Sequence, residues 1–306
     1  MLKRRLVMPK SIKISIISIL VIVVSFLASL LYLQKELINV SVASFKANGK
    51  DKNDDTKYIQ EAINFVAKKG GGTVSFPKGT YFINTIESIS LKKNITLKFN
   101  DGVILKAIPN ASPNYAILSI HDVSNVRLEG KVEIIGDRYQ HEDNSGEWGF
   151  GISIRGSNDI YIEHPLVSNL WGDGIYIGVT KKQNYSKNIT ILNPKMNNNR
   201  RQGISIISAI NLKIINPTVS NTNGIAPESG IDLEPNNNHE YLQNILILNP
   251  VLNKNKGYSF LIYLKNLENS KNNVSITVKN SDRITGNIRV EKPESVKGYI
   301  NIKYGK

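Results

Sequence analysis

Four segments of this chain follow one template, an extended alternating run that closes on a proline: Asp159-Ile-Tyr-Ile-Glu-His-Pro165, Asn188-Ile-Thr-Ile-Leu-Asn-Pro194, Asn211-Leu-Lys-Ile-Ile-Asn-Pro217 and Asn244-Ile-Leu-Ile-Leu-Asn-Pro250. A second template interleaves with it, a glycine followed by alternating apolar residues: Gly151-Ile-Ser-Ile154, Gly174-Ile-Tyr-Ile177, Gly203-Ile-Ser-Ile206 and Gly230-Ile-Asp-Leu233. A third short piece follows each proline, carrying Val167, Met196, Val219 or Leu252 two residues on and asparagine close behind. Each repeat therefore holds three short strands whose period of two marks one face in and one face out.

A coil of three strands cannot bury its apolar edge alone, so successive coils must stack in parallel, about 4.8 Å apart. The expected fold is all-β, a single-stranded right-handed parallel β-helix. A leucine-rich repeat has a similar period but one strand per turn and a leucine run; here there are three strands, rich in isoleucine. Asn188, Asn211 and Asn244 fall where the backbone must bend sharply, so they are read as structural turn residues, and His164 occupies the place of Asn193, Asn216 and Asn249 in the same role.

The repeat runs through most of the 306 residues and argues for one elongated domain. With no cysteine, disulfides, thiolate nucleophiles and cysteine metal sites are excluded. Lys3, Arg4, Arg5, Lys10 and Lys13 precede a nearly unbroken apolar stretch, Ile14 to Leu33. Twenty helical residues span about 30 Å, the thickness of a bilayer core. The stretch exceeds an ordinary signal-peptide core and lacks a clean cleavage site, so a retained anchor is expected ahead of a cleaved signal, with the positive flank left in the cytoplasm. The expected organisation is a basic segment over 1–10, a signal anchor or signal peptide over 11–33, a linker over 34–43 and the β-helix over 44–306. The net charge of +14 suits an acidic polymer or anionic lipid surface as partner. Scattered lysines on a chain that leaves the cytoplasm argue against nucleic acid.

Ahead of the coils lies Ser44-Phe45-Lys-Ala-Asn-Gly49, then Asp54-Asp55-Thr56, a helical pattern with Ile59, Ala62, Ile63 and Val66 on one face, and the run Gly70-Gly-Gly-Thr-Val-Ser-Phe-Pro-Lys-Gly-Thr-Tyr81. An amphipathic helix here would cover the open first coil and block edge-to-edge pairing. This block resembles the entry segment of the pectate-lyase superfamily, in its rhamnogalacturonase and epimerase-like β-helix group. The resemblance implies a right-handed β-helix and, usually, lysis, hydrolysis or epimerisation of polysaccharide. It does not imply which reaction. The polygalacturonase motifs of that superfamily are missing, with only Gly172-Asp173-Gly174 faintly similar, so no catalytic residue carries over from it.

Stacking locates candidate residues without a motif, because equivalent positions in successive coils become lateral neighbours. Aligned on the glycine column, Trp148, Trp171, Tyr176, Asp173, Arg200, Arg201, Glu228, Asp232 and Glu234 gather on one flank of the rod. Asp232 and Glu234 are two apart on one strand, hence on one face and about 6 to 7 Å apart; Asp173 and Glu228 lie two coils apart, about 10 Å. Either pair suits the acid and base of an inverting glycosidase. In a lyase, Arg200 or Arg201 would neutralise a uronate carboxylate while Tyr176 moves the proton, and the tryptophans would pack on sugar faces. Asp173, Asp232 and Glu234 offer oxygen ligands for calcium, though no calcium motif is present. His121, His141, His164 and His239 show no metal-ligand spacing; His141 sits in an insertion, Arg138 to Glu147, that would wall a groove. The expectation is an exported, membrane-tethered protein that cleaves a uronate polysaccharide, with lysis ahead of hydrolysis; the alternative is a surface solenoid that binds glycan without cleaving it.

Overall fold

The computed structural model describes residues 21–25 and 38–304, and the chain divides into two units, Met1–Leu37 and Ile38–Lys306. Of the first unit only Val21 to Ser25 are described, and they are helical. The rest of the expected membrane helix lies outside the described residues, among which no helix is long and apolar enough to cross a membrane.

From Ile38 the chain winds through three sheets of ten, eight and seven strands in which every paired neighbour is parallel. One coil shows the pattern. Trp148–Arg155 lies in the eight-stranded sheet, Asn158–Glu163 in the ten-stranded sheet and Pro165–Ser168 in the seven-stranded sheet, before Ile175–Gly178 returns to the first. Register is strict: Ile152 pairs with Ile175, Ile175 with Ile204, Ile204 with Ile231 and Ile231 with Phe260. Alternation then sends one aliphatic column after another inward, and Ile154, Ile177, Ile206, Ile162, Ile191 and Ile214 are fully buried. The result is a parallel β-helix.

Columns of left-handed backbone turn the corners. Asp159, Asn188, Asn211 and Asn244 have φ of 52 to 58°, and His164, Asn193, Asn216 and Asn249 have φ of 49 to 53°. Asparagine tolerates that conformation, and its amide reaches the next coil. Asn211 donates to Asn188 at 2.9 Å and Asn244 to Asn211 at 2.9 Å, while Asn216 donates to Asn193 at 2.8 Å and Asn249 to Asn216 at 2.7 Å. His164 Nε2 joins the second ladder 3.0 Å from the amide of Asn193, the turn role expected of it.

The repeated glycines answer to a different constraint. Gly151, Gly174 and Gly203 take equivalent places on successive coils, against inward side chains of the seven-stranded sheet. A Cβ there would stand 2.6 Å from Val167 Cγ1, 2.7 Å from Met196 Sδ and 2.1 Å from Val219 Cγ1.

The capping helix is Thr56–Lys68, with Ile59, Ala62, Ile63 and Val66 fully buried. Its leading polar residues do more than cap: Asp54 accepts from the Thr56 amide at 2.9 Å, but Asp55 accepts from Asn48 N–H at 2.6 Å and Thr56 Oγ1 from Asn84 N–H at 2.8 Å. Ile38–Ser41, expected in a linker, is instead the first strand of the ten-stranded sheet, paired with Gly72–Phe76. Alternating Ile38 and Val40 pack against the core, and that burial recruits the segment.

Candidate functional site

The outer face of the eight-stranded sheet carries the candidate residues. Ser119, Ser153, Tyr176, Ser205 and Asp232 form one paired column, and Gln202 stands beside Ser229 in another.

Two carboxylates lie within this face. Asp173 is fully buried; Arg201 donates from one nitrogen to both its oxygens at 3.1 and 3.2 Å, and Ser205 Oγ donates at 2.7 Å. Glu147 approaches the other edge of Arg201 at 3.5 Å. Burial pushes the Asp173 carboxyl up, while Arg201 and Ser205 pull it back down. Asp232, only 1% exposed, accepts a short hydrogen bond from Gln202 Nε2. Burial, and then the neighbouring Glu234 charge, hold Asp232 well above the usual carboxylate range. Its Oδ1 and the Oε1 of Gln202 are buried with no hydrogen-bond partner. Gln202 and Ser205 share the strand Gln202–Ile206 and reach in opposite directions along the rod, one to each acid.

The structure does not bring Glu228 to Asp173. Glu228 sits in a left-handed turn, φ 55°, where it accepts from Gly224 N–H at 2.6 Å and pairs with Lys256 at 2.9 Å. Partial burial opposes its ionisation, but those two partners outweigh it and hold the carboxyl below its ordinary value. Trp171 offers no open sugar platform: it is 6% exposed, with His141 stacked on it at 4.1 Å and the Arg200 guanidinium 3.6 Å from its ring centre. Arg200 also donates to Gly146 O at 3.0 Å, so it clasps the insertion instead of clamping a carboxylate. Arg201 is likewise committed, to Asp173. Tyr176 is 8% exposed, packed with Ala116, Phe150 and Ile207; burial pushes its hydroxyl up, away from duty as a base at neutral pH. Trp148 is 47% exposed and keeps an open face. Among the described residues no three acidic or histidine side chains converge as a metal site, and two of the three acids expected for calcium are engaged elsewhere, Asp173 by Arg201 and Asp232 by Gln202.

Two arrangements escaped the sequence reading. At the root of the insertion, Asp137 is buried and accepts from the Tyr115 hydroxyl, from Asn110 Nδ2 at 3.0 Å and from His141 Nδ1 at 2.8 Å. Further along the face, His121 Nε2 lies 2.9 Å from Ser153 Oγ, and Arg155 Nε donates to that oxygen at 3.1 Å. They border a groove of about 440 Å³ lined also by Glu87, Ser88 and Ser119. The coil Asn114–His121 was invisible as a repeat because Ile117 stands where later coils have glycine; aligned on Leu118 and Ile152, it places His121 beside Arg155. A larger hollow of about 870 Å³ lies among loop residues including Asn184, Asn238, His239 and Lys271, and none of the expected acids lines it.

Residues 39–119 match the family model described as rhamnogalacturonase A/epimerase, pectate lyase-like. The uncharacterized protein YclG of Bacillus subtilis is 30% identical over 220 residues, which are 64% of this chain and 38% of that protein, so the chain spans well under half its relative's length. Among solved structures, the A-module of the mannuronan C-5 epimerase AlgE4 of Azotobacter vinelandii aligns over 86% of this chain and 68% of that one, at 19% identity and a TM-score of 0.61. An iota-carrageenase complexed to iota-carrageenan fragments aligns over 79% and 49%, at 18% identity and a TM-score of 0.55. Residues 39–119 are thus similar to the pectate lyase-like family, and the stacked coils share the parallel β-helix fold of these solved structures.

Proposed function

We propose that this protein hydrolyses a glycosidic bond of an acidic polysaccharide laid along the outer face of the eight-stranded sheet. The observation that carries the reading is Asp232, a desolvated carboxyl on a face that a packed core does not require, with one oxygen lacking any protein partner. Buried acids of that kind gather at functional sites. Glu234 comes two residues later, just past the end of the strand Ser229–Leu233 and about 6 to 7 Å on at the rise of extended chain, and its partly exposed carboxylate supplies the second group. Two carboxyls whose surroundings differ this way divide the work of an inverting hydrolysis. Asp232 gives its proton to the bridging oxygen as the bond from that oxygen to the anomeric carbon breaks. Glu234 takes a proton from the water that attacks the same carbon on the opposite side. Asp173 and Arg201 act at one remove, holding Ser205 and, through its strand, Gln202. The lyase expected from sequence loses support, because Arg201 is paired and Tyr176 is buried. The β-helix proteins aligned above include one named for mannuronan and one for iota-carrageenan, which supports a polysaccharide in general. In the same proposal, the basic and apolar N-terminal sequence exports the coils and tethers them to the membrane.

The test is to incubate the full chain with a panel of uronate and sulfated polymers and follow reducing ends and ultraviolet absorbance. Reducing ends without new absorbance are expected, and Asp232→Asn should lower the rate by about a hundredfold or more with the fold intact. Rising absorbance would mean lysis. Binding without either signal would make this a glycan-binding solenoid, and an Asp232→Asn variant of undiminished rate would remove that residue from the mechanism.

A further inference from the structure

We infer that Arg155, with His121 and Ser153, forms a subsite that reads the oxyanion substituent, carboxylate or sulfate, of a sugar seated in the groove toward the N-terminal end of this face. The inference rests on the reading that a saccharide lies along the sheet. Arg155 stands two residues beyond Ser153 on the outer face and is paired in register with His121. Its guanidinium is oriented from two sides: the carbon lies 4.1 Å from the ring centre of Tyr176 and 5.3 Å from that of Phe150, and Nε is spent on Ser153. Its terminal nitrogens find no hydrogen-bond acceptor among the described residues, and no carboxylate pairs with it. Arg127, Arg201 and Arg289, in contrast, each have a carboxylate partner. A stacked guanidinium with its fork left open has the geometry for two parallel hydrogen bonds to an oxyanion.

The neighbours sharpen the charge. Ser153 Oγ accepts from Arg155 Nε and lies 2.9 Å from His121 Nε2, which ties the three side chains together. Burial, then the Arg155 charge, push His121 down to about 4, so at neutral pH the ring is uncharged and Arg155 supplies the positive charge of the groove. Ser88 and Ser119, 2.8 Å apart, and Ser90 add hydroxyls for a sugar ring, while Glu87 on the exposed rim is the one acid in the lining. Arg155 and Glu234 occupy equivalent places three coils apart, about 14 Å along the rod, with Gly178 and Ile207 between them. An oligosaccharide spanning that distance would place its anion on Arg155 and a bond farther along over Asp232 and Glu234.

Calorimetric titration of the full chain at low salt, with trigalacturonate, trimannuronate, a sulfated galactotriose and neutral galactotriose as probes, tests the subsite. At least one anionic trimer should bind tenfold or more tightly than the neutral one, and whether carboxylated or sulfated trimers win identifies the substituent. Arg155→Gln should bring the anionic trimers to the neutral level, and Arg155→Lys should restore only part of the difference, because it keeps the charge but loses the fork. Should Arg155→Gln fail to fold, Ser153→Ala leaves the guanidinium but frees its Nε; at least threefold weaker anionic binding is expected, with the neutral trimer unchanged. Equal binding of all four trimers, a preference that survives Arg155→Gln, or equal losses for anionic and neutral trimers in Ser153→Ala would overturn the inference. Preference for anions without cleavage would remove the hydrolase reading and leave the subsite standing; cleavage without preference would do the reverse.

Discussion

Asp173 and Asp232 are both sunk into the outer face, yet only one has all its needs met. Asp173 has a cation and a hydroxyl, whereas Asp232 has one amide donor and a nearby negative charge. A carboxyl whose folded pKa is raised adds stability below the unfolded value of about 3.9 and loses it as pH climbs through the folded value. Asp232→Asn, uncharged at every pH, should therefore melt close to the native chain near pH 4 and progressively above it toward pH 8, as thermal denaturation across that range will show. A constant difference would mean that Asp232 ionises without penalty. By the same reasoning, cleavage should fade on the alkaline side as the donor proton is lost, which a pH–rate profile measures. Sequence columns were enough to pick out both acids. They were blind to which neighbour would claim Arg201 and to the left-handed turn that carries Glu228 away to Lys256, because side-chain partners and backbone φ are settled only in three dimensions.

Strands and corners carry the regularity of this molecule, and each repeated residue answers to a contact in the next element. Gly203 faces the Val219 methyl so closely that an added Cβ at 2.1 Å forces movement. Gly203→Ala should cost about 1–3 kcal/mol in chemical denaturation, and Val219→Ala in the same chain should recover part of it. Additive losses would show that the two sites do not touch. The asparagine ladders predict smaller effects. Asn216→Ala removes the donor to Asn193 and the acceptor of Asn249, and should cost about 1 kcal/mol or somewhat more. His164→Asn should be neutral or stabilising, since asparagine suits φ 49° at least as well and can continue the ladder. The glycine, asparagine and proline templates were legible because each coil repeats them. The coil at Asn114–His121 was not, since Ile117 breaks the template while the pairing continues unaltered.

At the scale of the whole β-helix, every coil but the first finds its apolar edge covered by the coil before it, and the helix Thr56–Lys68 performs that service for the first. Ile63→Asp would place an unpaired charge at a fully buried position. It should lower the melting temperature and expose the sheet edges to association, visible as light scattering on heating; a soluble chain of unchanged stability would argue that the helix is not a cap. The sequence alone determined the three-strand coil, the columns that stack, the capping helix and the flank on which acids and arginines gather, because a period repeated in sequence becomes neighbourhood in space. Only the tertiary structure decided that Trp171 is closed between His141 and Arg200, that Asp173 is satisfied while Asp232 is not, and that Arg155 has an open fork. Those outcomes depend on which side chains, brought within a few ångströms by different coils and by the insertion, compete for the same partner, and no period in the chain encodes that competition.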